Sequence, residues 1–145
     1  MVDACWGALK DTIRKARMTR ILIADPNINS RKALILLLGK RFAISSIVEA
    51  ADTETLIRRL AETDLDILLL DWKLYGSPAP ETCSLILKAY PHLKIVLLSV
   101  DADDHQSALN AGAMFVHKGA SPDQVLALLE TLVKSCDLKQ STSLA

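Results

Sequence analysis

Aromatic residues are scarce in this chain: two Phe, two Trp and two Tyr make up 4% of 145 residues. So few leave little to sandwich a flavin ring. Glycine is scarce too, at five residues. None stands in Asp25-Pro-Asn-Ile-Asn-Ser30, where a phosphate cradle would follow a first strand. Both shortages work against a small doubly wound cofactor-binding domain, although topology alone would permit one. Neither charge sign is in excess, since 17 basic residues face 17 acidic ones. That argues against direct, broad binding to nucleic acid, which takes a basic surface. Long apolar runs are absent as well. A stretch such as Ala33 to Leu38 falls far short of the roughly 20 residues a membrane-spanning helix needs.

The three cysteines, Cys5, Cys83 and Cys136, form no CxxC and no metal-ligand spacing. His92, His105 and His117 are equally scattered and suggest no metal cage. Asp3, Lys10, Asp11 and Arg14 interrupt any secretory signal at the start. The expected compartment is the reducing cytoplasm. Half the residues are apolar and 23% are charged, which suits one packed globular domain.

From Thr19 onward two periodicities alternate. Ile21-Leu-Ile-Ala24, Asp66-Ile-Leu-Leu-Leu70 and Lys94-Ile-Val-Leu-Leu98 are short apolar runs. Such runs suit strands buried on both faces. Ile44 to Val48 and Met114 to Val116 are weaker strand candidates. Helical stretches lie between them. Asn29 to Lys40 reads as the first, with Gly39 near its end. Asp52 can cap a second, whose stripe is Leu56, Ile57, Leu60 and Ala61. Ser77-Pro78 opens a third, which stops before Pro91, and Asp103 to Ala111 is a short fourth ending at Gly112. Ser121-Pro-Asp-Gln124 is a capping-box start for the fifth, with Val125, Leu126, Leu128, Leu129, Leu132 and Val133 on one face.

Strict alternation of strand and helix implies an α/β fold: a five-stranded parallel sheet, doubly wound, with helices on both faces. Function then gathers at the carboxyl ends of the strands. Asp25, Asp71, Ser99 and Lys118 all fall at such ends. A strand-end carboxylate can be a nucleophile toward a phosphoryl group. The acyl phosphate formed needs a cation, usually Mg²⁺ held by carboxylates and carbonyls, and a lysine. A serine hydroxyl can bond a phosphoryl oxygen. Each residue alone is an ordinary turn or surface residue; the four together, in this chain order, are more specific.

From about Arg20 to Cys136 the chain resembles a response-regulator receiver domain of two-component signalling. The residues that carry the resemblance are Ile21 to Asp25, Asp66 to Gly76, Ile95 to Ser99 and Ala108 to Pro122. It implies the CheY-like, flavodoxin-like strand order 2-1-3-4-5. It implies that Asp71 accepts a phosphoryl group from a sensor histidine kinase or phosphotransfer protein, with Lys118 contacting that group. Ser99 would be the switch hydroxyl and Phe115 the switch aromatic. Asp25, Asp71 and the backbone carbonyl of Lys73 would hold Mg²⁺. The domain would be a signalling phosphoacceptor that assists only its own phosphorylation and dephosphorylation. A downstream effector protein or domain would read the switched face, and a homodimer is a further expectation.

Three departures stand out. The family usually has two adjacent acids after the first strand, and here the second is Pro26. That removes a carboxylate and should weaken Mg²⁺, unless water or Asn27 fills the position. Tyr75 stands where the family often has proline, and Val100 is bulkier than the small residue common after the switch serine. The Lys73 ammonium is either paired with Asp71 or Asp101, or in solvent. With the metal site incomplete, the alternative to a working receiver is a pseudo-receiver that binds partners without phosphorylation. The subfamily resembled often carries a DNA-binding module, which would make transcription regulation the output of a longer protein. The expected divisions are 1–18, an extension with Trp6, Leu9 and Ile13 near one stripe; 19–136, the receiver; and 137–145, a flexible tail.

Overall fold

The computed structural model describes residues 19–42, 46–74 and 78–143, with side chains described as far as residue 134. The expected extension at 1–18 lies outside the described residues, as do Tyr75, Gly76 and Ser77. Among the described residues, five parallel strands alternate with five α-helices. The strands are β1 (Ile21–Ala24), β2 (Ile47–Ala50), β3 (Ile67–Asp71), β4 (Lys94–Ser99) and β5 (Met114–His117). The helices are α1 (Ile28–Leu38), α2 (Thr53–Glu62), α3 (Ala79–Ala89), α4 (His105–Asn110) and α5 (Pro122–Ser143), with a 3₁₀ turn at Ala102–Asp104 before α4. The sheet order is β2-β1-β3-β4-β5, all parallel, which is the 2-1-3-4-5 order expected.

Side chains on successive strand residues point to opposite faces, so each apolar run feeds two cores. Leu22, Leu68, Leu70 and Leu97 face α2, α3 and α4, meeting Leu56, Cys83, Ile86 and Ala108. Ile21, Ile23, Leu69 and Val96 face the other way, onto Leu38 of α1 and Val125, Leu129 and Leu132 of α5. β1 and β3 are buried along their whole length, whereas the edge strand β2 is only partly buried and the edge strand β5 has two exposed ends.

The helix boundaries follow their caps. Asn27 Oδ1 accepts from the backbone N–H of Asn29 at 2.8 Å and of Ser30 at 3.3 Å, so α1 begins at Ile28, ahead of the expected Asn29. Asp52 Oδ1 accepts from Thr55 N–H at 2.7 Å and starts α2. The buried stripe of α2 is narrower than its pattern: Leu56 and Leu60 are inside, while Ile57 and Ala61 are exposed. α5 opens with a reciprocal capping box, Gln124 N–H to Ser121 Oγ at 3.3 Å and Ser121 N–H to Gln124 Oε1 at 3.2 Å. It then runs on to Ser143, past the expected boundary at Cys136. Gly112 ends α4 with φ +87°, a conformation that suits glycine. No described helix is long and apolar enough to cross a membrane.

Candidate functional site

β1, β3 and β4 end side by side, so their last residues meet at one rim. Asp71 closes β3, Ser99 closes β4, and Asp25 follows β1 directly. All three are buried, at 3–4% exposure, so their oxygens need partners. Lys118 follows β5, and its backbone N–H donates to the Ser99 carbonyl at 2.8 Å. These four residues line one open pocket of about 430 Å³, with Pro26, Trp72, Lys73 and Val100 in its wall. The convergence expected from the strand ends is present.

One ammonium ties the acidic part together. Lys118 Nζ donates to Asp25 Oδ2 at 3.2 Å and forms an ion pair with Asp71 Oδ1. Burial by itself would lower the pKa of Lys118. Its hydrogen bond to Asp71 and the charges of Asp71 and Asp25 outweigh that and hold the pKa above the usual lysine range. The remaining carboxylate oxygens are fixed by short local turns: Asp25 Oδ1 accepts from Asn27 N–H at 2.8 Å, and Asp71 Oδ2 from Lys73 N–H at 3.0 Å. Arg31, on the first turns of α1, reaches back to the Asp25 carbonyl with Nη1 at 2.7 Å while its Nε pairs with Glu49 at 3.0 Å.

Ser99 and Phe115 are held differently. The Ser99 hydroxyl donates to Asp104 Oδ2 at 2.6 Å and accepts from Asp101 N–H at 3.1 Å. It is thus turned to the loop after β4. Phe115, in β5, is partly buried, and its ring stacks on the His105 ring with centroids 5.0 Å apart and planes at 16°. Next to Lys118, His117 Nε2 lies 2.8 Å from the Val100 carbonyl and Nδ1 accepts from Gly119 N–H at 2.9 Å. That pairing requires the Nε2–H tautomer.

Two points left open by the sequence are decided here. Asn27 was a candidate to replace the carboxylate lost at Pro26, but its Oδ1 is committed to capping α1. Lys73 is exposed and, among the described residues, pairs with neither Asp71 nor Asp101; Lys118 holds Asp71, and the Asp101 carboxylate caps the 3₁₀ turn through Asp103 N–H at 2.9 Å. Sequence reasoning missed Arg31, Asp104 and His105. Nothing in the spacing of Asp104 from Ser99 marks it as a partner, because the irregular turn between them sets the reach. Arg31 had a signal, a cation one turn into the helix that follows Asp25.

As for a metal, the hard oxygen donors brought together are the Asp25 and Asp71 carboxylates, which face a common cation. Among the described residues no group of three or more acidic, histidine or cysteine side chains is placed to hold a metal ion. The set fits a divalent ion with two carboxylates and the remainder water.

The family model for the response regulator receiver domain matches residues 21–130 of the chain. No curated protein matches it. Similar solved structures include the signal receiver domain of an HD domain-containing protein from Pseudomonas fluorescens Pf-5, with TM-score 0.77, 21% identity, and coverage of 86% of this chain and 93% of that one. A CheY-like response regulator receiver domain protein from Methanospirillum hungatei JF-1 superposes with TM-score 0.75 at 19% identity, covering 84% and 98%. A two-component response regulator from Clostridium difficile does so with TM-score 0.72 at 21% identity, covering 80% and 96%. At such identities these likenesses concern the fold.

Proposed function

Because the chain belongs to the response regulator receiver domain family, we propose that it is a phosphorylation-driven switch with Asp71 as its acceptor. An Asp71 carboxylate oxygen attacks the phosphorus of a phosphohistidine on a sensor kinase or phosphotransfer protein. The O–P bond forms, the N–P bond breaks, and the imidazole leaves as the free side chain. The observation that carries this reading is the contact of one ammonium, Lys118, with both Asp25 and Asp71. A cation already poised beside the acceptor oxygen meets the charge that develops on the phosphoryl oxygens.

Asp25, Asp71 and the Lys73 carbonyl are the residues that would hold Mg²⁺, and the bound ion would neutralise phosphoryl charge. With Pro26 in place of an acid, affinity is expected to be low. Ser99 supplies the hydroxyl that bonds the phosphoryl group, and Phe115 the ring that moves when Ser99 is drawn away. Phe115 has no hydroxyl, so its report is steric. The exposed face around α4, β5 and α5 is the output surface, for a downstream effector or a second copy, in the cytoplasm.

The test is incubation with millimolar Mg²⁺ and a small phosphodonor, read by intact mass. The expected result is one phosphoryl adduct on the wild type and none on Asp71→Asn. Absence of an adduct, together with no NMR response to beryllofluoride, would leave the chain a pseudo-receiver.

A further inference from the structure

The two residues read as the switch pair are gripped by two consecutive residues at the start of α4. Asp104 Oδ2 accepts a hydrogen bond from the Ser99 hydroxyl at 2.6 Å, and His105 stacks on Phe115 at 5.0 Å. The grip is a closed circuit. Asp101 N–H donates to Ser99 Oγ at 3.1 Å, Ser99 Oγ donates to Asp104, and Asp104 N–H donates back to the Asp101 carbonyl at 3.2 Å. The root of this loop is fixed separately, by His117 on the Val100 carbonyl.

We propose that Asp104 and His105 form a clasp that holds Ser99 and Phe115 in their resting positions and sets how readily the domain switches. A serine hydroxyl has one proton to donate. It cannot serve Asp104 and a phosphoryl oxygen on Asp71 at once. Its bond to Asp104 is short and charge-assisted, the stronger class of hydrogen bond. Turning the hydroxyl toward Asp71 also strips Asp101 N–H of its acceptor, so the 3₁₀ turn loses two ties together. The junction at residues 104 and 105 is then free to move, and the ring stacked on Phe115 moves with it. Asp104 is therefore a positioning residue for the hydroxyl, and His105 for the aromatic ring. Because they are adjacent in sequence, release of one loosens the other, which couples the two reporters.

The proposal rests on the reading of Ser99 and Phe115 as the switch pair, but part of its test does not. In unphosphorylated protein, Asp104→Ala is expected to shift the Asp101 amide and the Phe115 ring signals in NMR spectra. An Asp101 amide and Phe115 ring left in place would overturn the clasp whatever the phosphorylation result. In the second arm, beryllofluoride with Mg²⁺ is titrated into the wild type and variants. Asp104→Ala is expected to tighten the response by about tenfold, the scale of one charge-assisted hydrogen bond. Asp104→Asn, which keeps an uncharged acceptor, should fall between. In a Ser99→Ala background the Asp104→Ala effect should vanish, which a purely structural role would not produce. A wild type that answers beryllofluoride, with Asp104→Ala answering at the same concentration, also overturns the clasp. A silent wild type counts against the proposed function instead, and the resting-state arm still decides the clasp.

Discussion

The rim at the end of the sheet has two halves that hold their functional groups by different means. On the acceptor half, Asp25 and Asp71 share one ammonium, with Arg31 behind them on the Asp25 carbonyl. On the switch half, Ser99 and Phe115 are kept by a hydrogen bond and a ring stack, both from the start of α4. The first arrangement is costly to break, because two carboxylates at 3–4% exposure would lose their counter-charge. The second has partners that stay wet when released: Asp104 is only half-buried and His105 is exposed. The proposed switch needs this inequality, since its acceptor would stay in place while its reporters move.

The sharpest way to break the comparison is to remove the anchor of each half. Lys118→Met is expected to cost about 3 kcal/mol of folding stability, the low end for stripping a buried ion pair of one partner. Ser99→Ala should cost about 1–2 kcal/mol, because it removes two hydrogen bonds, one from the Asp101 N–H and one to the Asp104 carboxylate, whose partners water can reach. Denaturant unfolding of both variants checks the pair. Equal costs would mean that the two halves are held alike.

The same anchor has a pH signature. The pKa of Lys118 is raised in the folded protein, so the fold holds this proton more tightly than the unfolded chain does. Its stabilising contribution is complete below the unfolded value, about 10.4, and falls away as pH climbs through the folded value. The difference in thermal midpoint between wild type and Lys118→Met should therefore hold steady to about pH 10 and shrink above it. A difference that shrank between neutral pH and about pH 9 would assign the stability to some other group.

The acceptor half was also the more legible half in the sequence. β1, β3 and β4 are buried on both faces, so their apolar runs are unbroken and end on Asp25, Asp71 and Ser99. β2 and β5 are edges that are not fully buried, and their patterns were correspondingly faint. Caps were legible where one side chain reaches its own helix, as at Asp52 and Ser121. What strand and helix periodicity does not encode is the direction of a hydroxyl in an irregular turn. Ser99 reaching Asp104 and Lys73 lying in solvent both depend on loop geometry that no repeat specifies. The narrow stripe of α2 has a similar origin. Ile57 satisfies the pattern, yet it is half exposed while Leu56 and Leu60 are buried against the sheet.

The smallest expected effect isolates burial from charge. Two arginine–glutamate pairs have the same 3.0 Å geometry: Arg31–Glu49, with the arginine at 13% exposure, and Arg41–Glu130, at 59%. If charge as such stiffened the acceptor half, both would matter. Arg31→Met should cost roughly 1–2 kcal/mol, because it also removes the donor on the Asp25 carbonyl. Arg41→Met should cost less than about 0.5 kcal/mol, because an exposed pair gains little over water and is screened by salt. Measuring both at low and at high ionic strength separates them further: the Arg31 cost should persist, and the Arg41 cost should vanish. Costs of the same size would mean that the rim's rigidity comes from net charge density, and the contrast between its halves would then lie in sign and number of charges instead of in their depth.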